Sequence, residues 1–167
     1  MKKIITLLAI AGLFTLQSCT VNDDNPYVDN DTISEVFEVS ASFNSTNNYS
    51  RIVPLNPPIF TSDVVLVYRL SGSTAQGDVW KLLPETHYFS DGTLDFSYDY
   101  DYTTTDVSVF MVGNDLQDVT ADFRLNQVLR IVIVPAGFAT SINKNSYESV
   151  ISALKINESQ IKKIEMK

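Results

Sequence analysis

The chain has 167 residues, with 12 Lys and Arg against 20 Asp and Glu, and a formal net charge of −8 at pH 7. Hydrophobic residues make up 44% of it, including 9 Phe and 8 Tyr. Such a chain is too apolar to stay disordered. It is also too acidic to attract nucleic acid or an anionic lipid surface, so proteins that bind either by charge are disfavoured classes.

The N-terminus has the layout of a secretory signal peptide: residues 1–3 are basic and residues 4–16 are mostly apolar. The apolar run is shorter than the ~20 residues that a membrane-spanning helix needs. Residues 16–19 read Leu-Gln-Ser-Cys and resemble the bacterial lipobox, in which the cysteine is acylated before cleavage on its amino side. We therefore predict a lipoprotein signal peptide at 1–18 and lipidation, for example with palmitate, of the single cysteine, Cys19.

Residues 19–32 are rich in Asn and Asp and show no apolar period, so we expect a lipidated flexible tether. Thr20 is not the aspartate that retains lipoproteins at the inner membrane, which favours the outer membrane. Residues 22–24, Asn-Asp-Asp, resemble the acidic signal that sends Bacteroidota lipoproteins to the cell surface, although a solvated linker has the same composition. The periplasmic and cell-surface faces therefore both stay open. Asp31-Thr32-Ile33 resembles an O-glycosylation acceptor of exported Bacteroidota proteins and makes Thr32 a candidate site.

Residues 33–167 are predicted to form a single domain rich in β-strands. The second half of a hairpin shows strict alternation, with Leu94, Phe96, Tyr98, Tyr100 and Tyr102 on one side and Asp95, Ser97, Asp99 and Asp101 on the other. Asp91-Gly92 supplies the turn before it. The predicted strands are residues 37–43, 49–53, 63–70, 79–89, 94–102, 106–112 and 127–134.

Five further features complete the fold prediction. The near-continuous apolar run 63–70 is expected to be covered on both faces, and the prolines that follow residue 53 confine that region to an edge or loop. Gly72 and Ser73 are assigned to a loop. Residues 147–154 have helical spacing behind Asn145 or Ser146 as N-cap, and residues 160–167 are read as an edge strand rather than a frayed tail. Together these elements predict an all-β, mainly antiparallel β-sandwich with one C-terminal amphipathic helix.

Motifs that carry catalysis are missing from the sequence. His87 is the only histidine, which excludes a multi-histidine zinc site, and it is predicted to be a partly exposed strand residue. No GxGxxG, GxxxxGK[ST] or GxSxG pattern occurs. We therefore predict no enzyme activity and no cofactor, with a hydrolase that uses dispersed carboxylates as the least favoured alternative.

Two groups of residues are candidate binding sites. Eight aspartates and no Lys or Arg lie between Ser90 and Phe123, namely Asp91, Asp95, Asp99, Asp101, Asp106, Asp115, Asp118 and Asp122. Asp95, Asp99 and Asp101 share one strand face and are weak candidates for calcium ligands, against the alternative of a solvated face. Trp80, Tyr88 and Tyr102 are candidates for a sugar-stacking platform, against the alternative of core or rim residues.

Four segments, residues 63–70, 78–84, 91–96 and 130–135, look like those of a set of small uncharacterised Bacteroidota lipoproteins. Members of such groups sometimes carry the labels collagen-like protein or dihydrolipoamide dehydrogenase. This sequence contradicts both labels, because its six glycines have no three-residue period and it lacks a dinucleotide fingerprint and a CxxxxC pair. The resemblance implies a location and no activity.

The sequence thus predicts an envelope-anchored lipoprotein with a non-enzymatic binding or structural role. Its membrane contact is expected through the N-terminal lipid, with a protein or glycan partner and no nucleic acid. The alternative is a calcium-dependent or aromatic-mediated glycan-binding module.

Overall fold

The computed structural model describes residues 34–139 and 142–165, which all belong to one compact unit. The predicted signal peptide, the tether, Cys19 and Thr32 lie outside these residues. The strands are β1 (Glu35–Ala41), β2 (Ser50–Pro54), β3 (Val64–Thr74), β4 (Gly77–Leu82), β5 (Glu85–Tyr88), β6 (Leu94–Tyr102), β7 (Asp106–Gly113), β8 (Gln127–Val134) and β9 (Lys162–Ile164). The helices are α1 (Ala121–Arg124), α2 (Ala136–Ala139) and α3 (Tyr147–Ala153), with 3-10 turns at Ser45–Asn47 and Glu158–Gln160.

The strands form two sheets that pack face to face, which confirms the predicted mainly antiparallel sandwich. Sheet A has the order β4-β3-β8-β1-β9, and sheet B has the order β2-β7-β6-β5. The described strand pairs are antiparallel except β1 with β9, which run parallel. The last strand is thus the edge strand predicted near the C-terminus.

The core between the sheets is built from the alternating residues of both. On β6, Phe96 and Tyr98 are buried and their neighbours Asp95 and Asp99 are not, as the alternation predicts. Burying such side chains contributes about 1.5–3 kcal/mol each. The largest fully buried side chains of this core are Phe43, Tyr98, Phe96, Leu83, Leu129 and Ile131.

The outer face of sheet A is covered by the C-terminal segment, as the apolar run of β3 predicts. Tyr147 and Val150 of α3 are buried against Leu66 and Val132 of the sheet. The helix begins behind Ser146, whose side chain accepts a hydrogen bond from the Ser149 amide. This confirms the predicted helix, and it shows that Ser146 rather than Asn145 is its N-cap.

Arg130 of β8 holds that segment on the sheet. Its guanidinium donates two hydrogen bonds of 2.8 Å to Glu158 and one of 2.6 Å to the Tyr147 hydroxyl. It also lies 2.9 Å from Glu38 of β1 and stacks 4.2 Å from the Trp80 ring. One buried cation therefore joins β1, β4, β8, α3 and the last 3-10 turn.

Two predictions about local structure were wrong. Residues 79–89 are not one strand: the chain leaves sheet A after β4 and enters sheet B as β5, with Leu83 buried at the corner. Pro84 at this corner has no amide hydrogen to donate to a continuing ladder. Gly72 and Ser73 lie inside β3 rather than in a loop, because the β3–β4 hairpin turns later, at Ala75 and Gln76, and Gly72 sits at a bulge in its register.

Candidate binding site

A depression of about 490 Å³ opens at the end of the sandwich where the β5–β6 hairpin meets the loop after β7. Its apolar lining consists of Phe89, Leu94, Phe96, Val119 and Phe123, and its polar lining of Asp95, Asn114, Asp115, Asp118 and Thr120. The hairpin turn is the predicted one: Gly92 has φ of 85°, and the Phe89 amide donates to the Thr93 carbonyl.

Close packing of the loop on β6 gives the depression its shape. A Cβ atom on Gly113 would lie 2.8 Å from the carbonyl oxygen of Asp95 and 2.9 Å from a methyl group of Leu116. Glycine is therefore needed where β7 ends, because any side chain would push the loop away from the strand. This close approach brings Asp115 and Asp118 to the same depression as Asp95.

The bottom of the depression is aromatic. Phe96 is 2% exposed, and its ring centroid lies 5.3 Å from that of Phe123. Beneath them His87 stacks on Phe96 at 4.4 Å and meets Phe123 edge-on at 5.0 Å. His87 is half-buried, which agrees with the prediction for this residue.

The charges around the depression have one sign. Asp95, Asp115 and Asp118 contribute three carboxylates, and no Lys or Arg is among the lining residues. Aromatic faces and carboxylates both attract cations. The arrangement therefore suits a ligand group that combines a positive charge with an apolar body.

A buried ionic cluster lies on the inner side of this site and joins the two sheets. Arg69 of β3 donates two hydrogen bonds of 2.8 Å to the carboxylate of Glu85 on β5, and a third of 3.1 Å to Gln127. Its guanidinium also stacks 4.9 Å from the Tyr98 ring. Arg69 and Glu85 are only 5% and 7% exposed, so the bidentate pair is shielded from water.

Glu85 is the centre of this cluster. Its burial raises the pKa of the carboxyl, but the hydrogen bonds and charges of Arg69 and Lys81 outweigh burial and hold that pKa below its usual range. The Nε2 atom of His87 lies 3.0 Å from Glu85 Oε1, although the two form no aligned hydrogen bond. The cluster therefore keeps Glu85 ionised and fixes the strand that carries His87.

The structure separates the three calcium candidates into two groups. Asp95, Asp99 and Asp101 do share the outer face of β6, but only Asp95 borders the depression. Asp99 lies opposite Phe110 of β7, and Asp101 lies opposite Ser108. Among residues 34–139 and 142–165, no group of three or more His, Cys, Asp or Glu could hold a metal ion.

The three candidate aromatics do not form one platform. Trp80 is half-buried on sheet A beneath Arg130 and next to Tyr147. Tyr88 is 64% exposed at the hairpin end of sheet B, and Tyr102 is 42% exposed at the other end of β6. Because Tyr102 lies eight positions along β6 from Leu94, which is opposite Tyr88, the backbones of the two tyrosines stand about 27 Å apart along the strand.

A second, wider cleft of about 820 Å³ lies between the β1–β9 edge of sheet A and β2. Hydroxyl and amide side chains line it together with four charged residues, Glu38, Arg51, Lys163 and Glu165, and its lining contains no aromatic residue. Its neutral polar residues are Ser40, Ser42, Asn44, Thr46, Asn47 and Asn126.

Sequence reasoning missed the ionic cluster, although a signal for it was present. Arg69 is the only charged residue in the apolar run 63–70 apart from its first residue, and Arg130 is the only charged residue in β8. A cation inside a strand covered on both faces requires a buried partner. The buried Glu85 partners Arg69, and the largely buried Glu38 and the exposed Glu158 partner Arg130. The sequence alone does not reveal where these partners lie.

No family model, curated protein or solved structure matches the chain. Among the described residues, no helix has the length and hydropathy needed to cross a bilayer.

Proposed function

We propose that the chain is an exported lipoprotein, anchored to the outer membrane through Cys19, whose β-sandwich has a non-enzymatic binding role. The lipobox-like residues 16–19 behind a short apolar leader support the anchor. Each buried acyl methylene contributes about 0.8 kcal/mol, and two or three chains hold a protein stably at a membrane. The resemblance to small Bacteroidota lipoproteins is part of this proposal.

Metabolic labelling with palmitate tests the anchor. We expect label in the mature wild-type protein and none in Cys19→Ser, which should leave the membrane fraction. Ser18→Ala keeps a small residue before the cysteine and should be labelled like the wild type. An unlabelled wild type, or a Cys19→Ser protein that stays on the membrane, rules the anchor out. Protease treatment of intact cells then separates the periplasmic face from the cell surface.

We propose that the depression beside the β5–β6 hairpin is the binding site and that it takes a cationic group with an apolar body. The single observation that carries this proposal is the pairing of three carboxylates, from Asp95, Asp115 and Asp118, with the aromatic bottom formed by Phe96 and Phe123. Exposed ion pairs contribute about 0.2–1 kcal/mol each, so a small probe should bind with an affinity near millimolar, about −4 kcal/mol.

NMR titration of the full chain with benzylammonium, and with benzyl alcohol as its neutral counterpart, tests the site. We expect the ammonium to bind at least about fivefold more tightly and the amides of the loop after β7 to shift. Asp115→Asn with Asp118→Asn should abolish this preference. Asp91→Asn, which removes one charge from the exposed hairpin tip, should not. Equal binding of the two probes, or an equal effect of Asp91→Asn, excludes the depression as a cation site.

The second candidate function is glycan binding, and the wide cleft between β1 and β2 favours it. Its six neutral polar residues offer donors and acceptors of the kind that sugar hydroxyls need. A glycan array read with and without calcium tests this function. Signal that is lost in Ser40→Ala with Asn126→Ala supports the cleft. Signal that needs calcium and is lost in Asp99→Ala with Asp101→Ala supports the calcium-dependent form instead.

A further inference from the structure

The two sheets differ in what covers their outer faces. Sheet A carries α3 and apolar residues that flank it in the C-terminal segment, which bury the apolar side chains of the sheet. Among the described residues, no second layer packs on the outer face of sheet B. An antiparallel sheet with one wet face normally presents polar side chains there.

Sheet B departs from that pattern through a stripe of apolar side chains. Ile52 on β2 is 63% exposed and Val112 on β7 is 45% exposed, with the half-buried Phe110 between them. Ile52 pairs with Ser108, so it is the diagonal neighbour of Phe110, and Val112 is the next outward residue along β7. Diagonal and next-outward neighbours stand about 7–8 Å apart, so the three side chains form one continuous stripe.

The charges beside the stripe are all negative. Asp99 lies opposite Phe110, and Asp101 lies opposite Ser108 on the same face. Asp106 faces the same side at the start of β7, opposite Pro54. The basic residues in the strands of sheet B are Arg51 and His87, and both occupy inward positions, opposite the buried Val109 and Phe96.

These charges decide which occupant the stripe accepts. A surface that covers Ile52 and Val112 also removes water from Asp99 and Asp101, which costs several kcal/mol unless cations replace the water. A second copy in a symmetric dimer would present the same face and the same carboxylates, and so would repel. Anionic lipid and nucleic acid repel for the same reason.

We propose that the outer face of sheet B docks a basic surface of another protein, one that carries Lys or Arg beside apolar side chains. Apolar contact on Ile52, Phe110 and Val112 supplies affinity, and Asp99, Asp101 and Asp106 select for cations at the flank. This surface uses none of the proposed depression's lining residues, so either proposal can fail without the other.

A synthetic amphipathic helix of leucine and lysine is a suitable probe, with a leucine and glutamate helix as its charge-reversed counterpart. Binding to the full chain is measured by fluorescence anisotropy. We expect Ile52→Ser with Val112→Ser, and separately Asp99→Asn with Asp101→Asn, each to weaken the lysine helix about tenfold or more. Ile52, Val112 and Asp101 are exposed and Asp99 is half-buried, so we expect these variants to fold, which circular dichroism checks.

Matched controls separate the surface from general attraction to an acidic protein. Val79→Ser removes an exposed apolar residue from sheet A, and Asp91→Asn removes an exposed charge from the hairpin tip. Neither should change the affinity, and benzylammonium should not compete. Controls that weaken binding equally, or a glutamate helix that binds as well, overturn the proposal. So does a dimer seen in sedimentation that Ile52→Ser with Val112→Ser dissolves, because the occupant is then a second copy.

Discussion

Arg69 on β3 and Glu85 on β5 join the two sheets through two parallel hydrogen bonds, each 2.8 Å long. Removing one partner of such a buried pair leaves an uncompensated charge. We therefore expect Arg69→Met to lower the free energy of unfolding by about 3–5 kcal/mol in a urea titration. Lys81 contacts the same carboxylate, but its side chain is 53% exposed. Lys81→Met should therefore lower the free energy of unfolding by less than about 1 kcal/mol. Equal costs for the two variants would falsify the assignment of Arg69 as the main partner.

The same carboxylate makes stability depend on pH. Because the pKa of Glu85 is lowered from 4.5 by its cationic partners, its contribution is complete above about pH 4.5 and is lost as the pH falls through the lower folded value. We expect Glu85→Gln to be less stable than the wild type at pH 7 and the gap to narrow below pH 4.5. Thermal melts from pH 7 to pH 3 check this, with the exposed Glu148→Gln as control. A gap that stays constant across this range contradicts the ionised state of Glu85.

Arg130 should control how tightly the C-terminal segment is held on sheet A. Arg130→Met removes the hydrogen bonds to Glu158 and Tyr147 but keeps most of the side-chain volume. We expect the amides of Val150 and Leu154 to exchange with deuterium at least about tenfold faster, because the free energy of locally opening α3 falls. Lys163→Met, which removes an 80% exposed partner of Glu38, should leave these rates near wild type. Exchange that is unchanged in Arg130→Met shows that apolar packing alone holds the helix.

Two glycines give a matched test of the loop that shapes the depression. Gly113→Ala places a Cβ atom 2.8 Å from a backbone oxygen of Asp95, whereas Gly137→Ala places one in open space within α2. We expect the first to destabilise the fold by about 1–3 kcal/mol and the second to be neutral or slightly stabilising. Chemical denaturation measures both. A neutral Gly113→Ala means that the loop can move away from β6 at no cost.

The strands that the sequence predicts well are those in which burial follows the local pattern. On β6 the buried Phe96 and Tyr98 alternate with outward Asp and Ser residues, so period two identified the strand and its inward face. On β8 an almost continuous apolar run matched a strand buried on both sides, with bounds at Gln127 and Val134. In both strands, whether a side chain is buried or exposed follows from the pattern of its neighbours in the sequence.

The misassigned elements depend on partners that are distant in sequence or on the other sheet. Residues 79–89 are rich in β-prone side chains at both ends, yet β4 and β5 belong to different sheets because the chain turns at Leu83. The depression was also hidden, since Asp95 meets Asp115 and Asp118 only through the close approach at Gly113. The sequence shows that this region is acidic. It does not show that some of the aspartates border a depression while others lie on an open sheet face.

The order of the strands in sheet A has a consequence for how the chain folds as it is synthesised. β1 precedes the other described strands but pairs with β8 and β9. Glu38 therefore cannot bind Arg130 until a further 92 residues have been synthesised. The pairings of β5 with β6 and of β6 with β7, in contrast, join strands that are consecutive along the chain. Since closing long loops is slow, we expect these three strands to nucleate folding and β1 to dock near the end. Until then we expect the apolar side of this strand to be exposed and prone to aggregation.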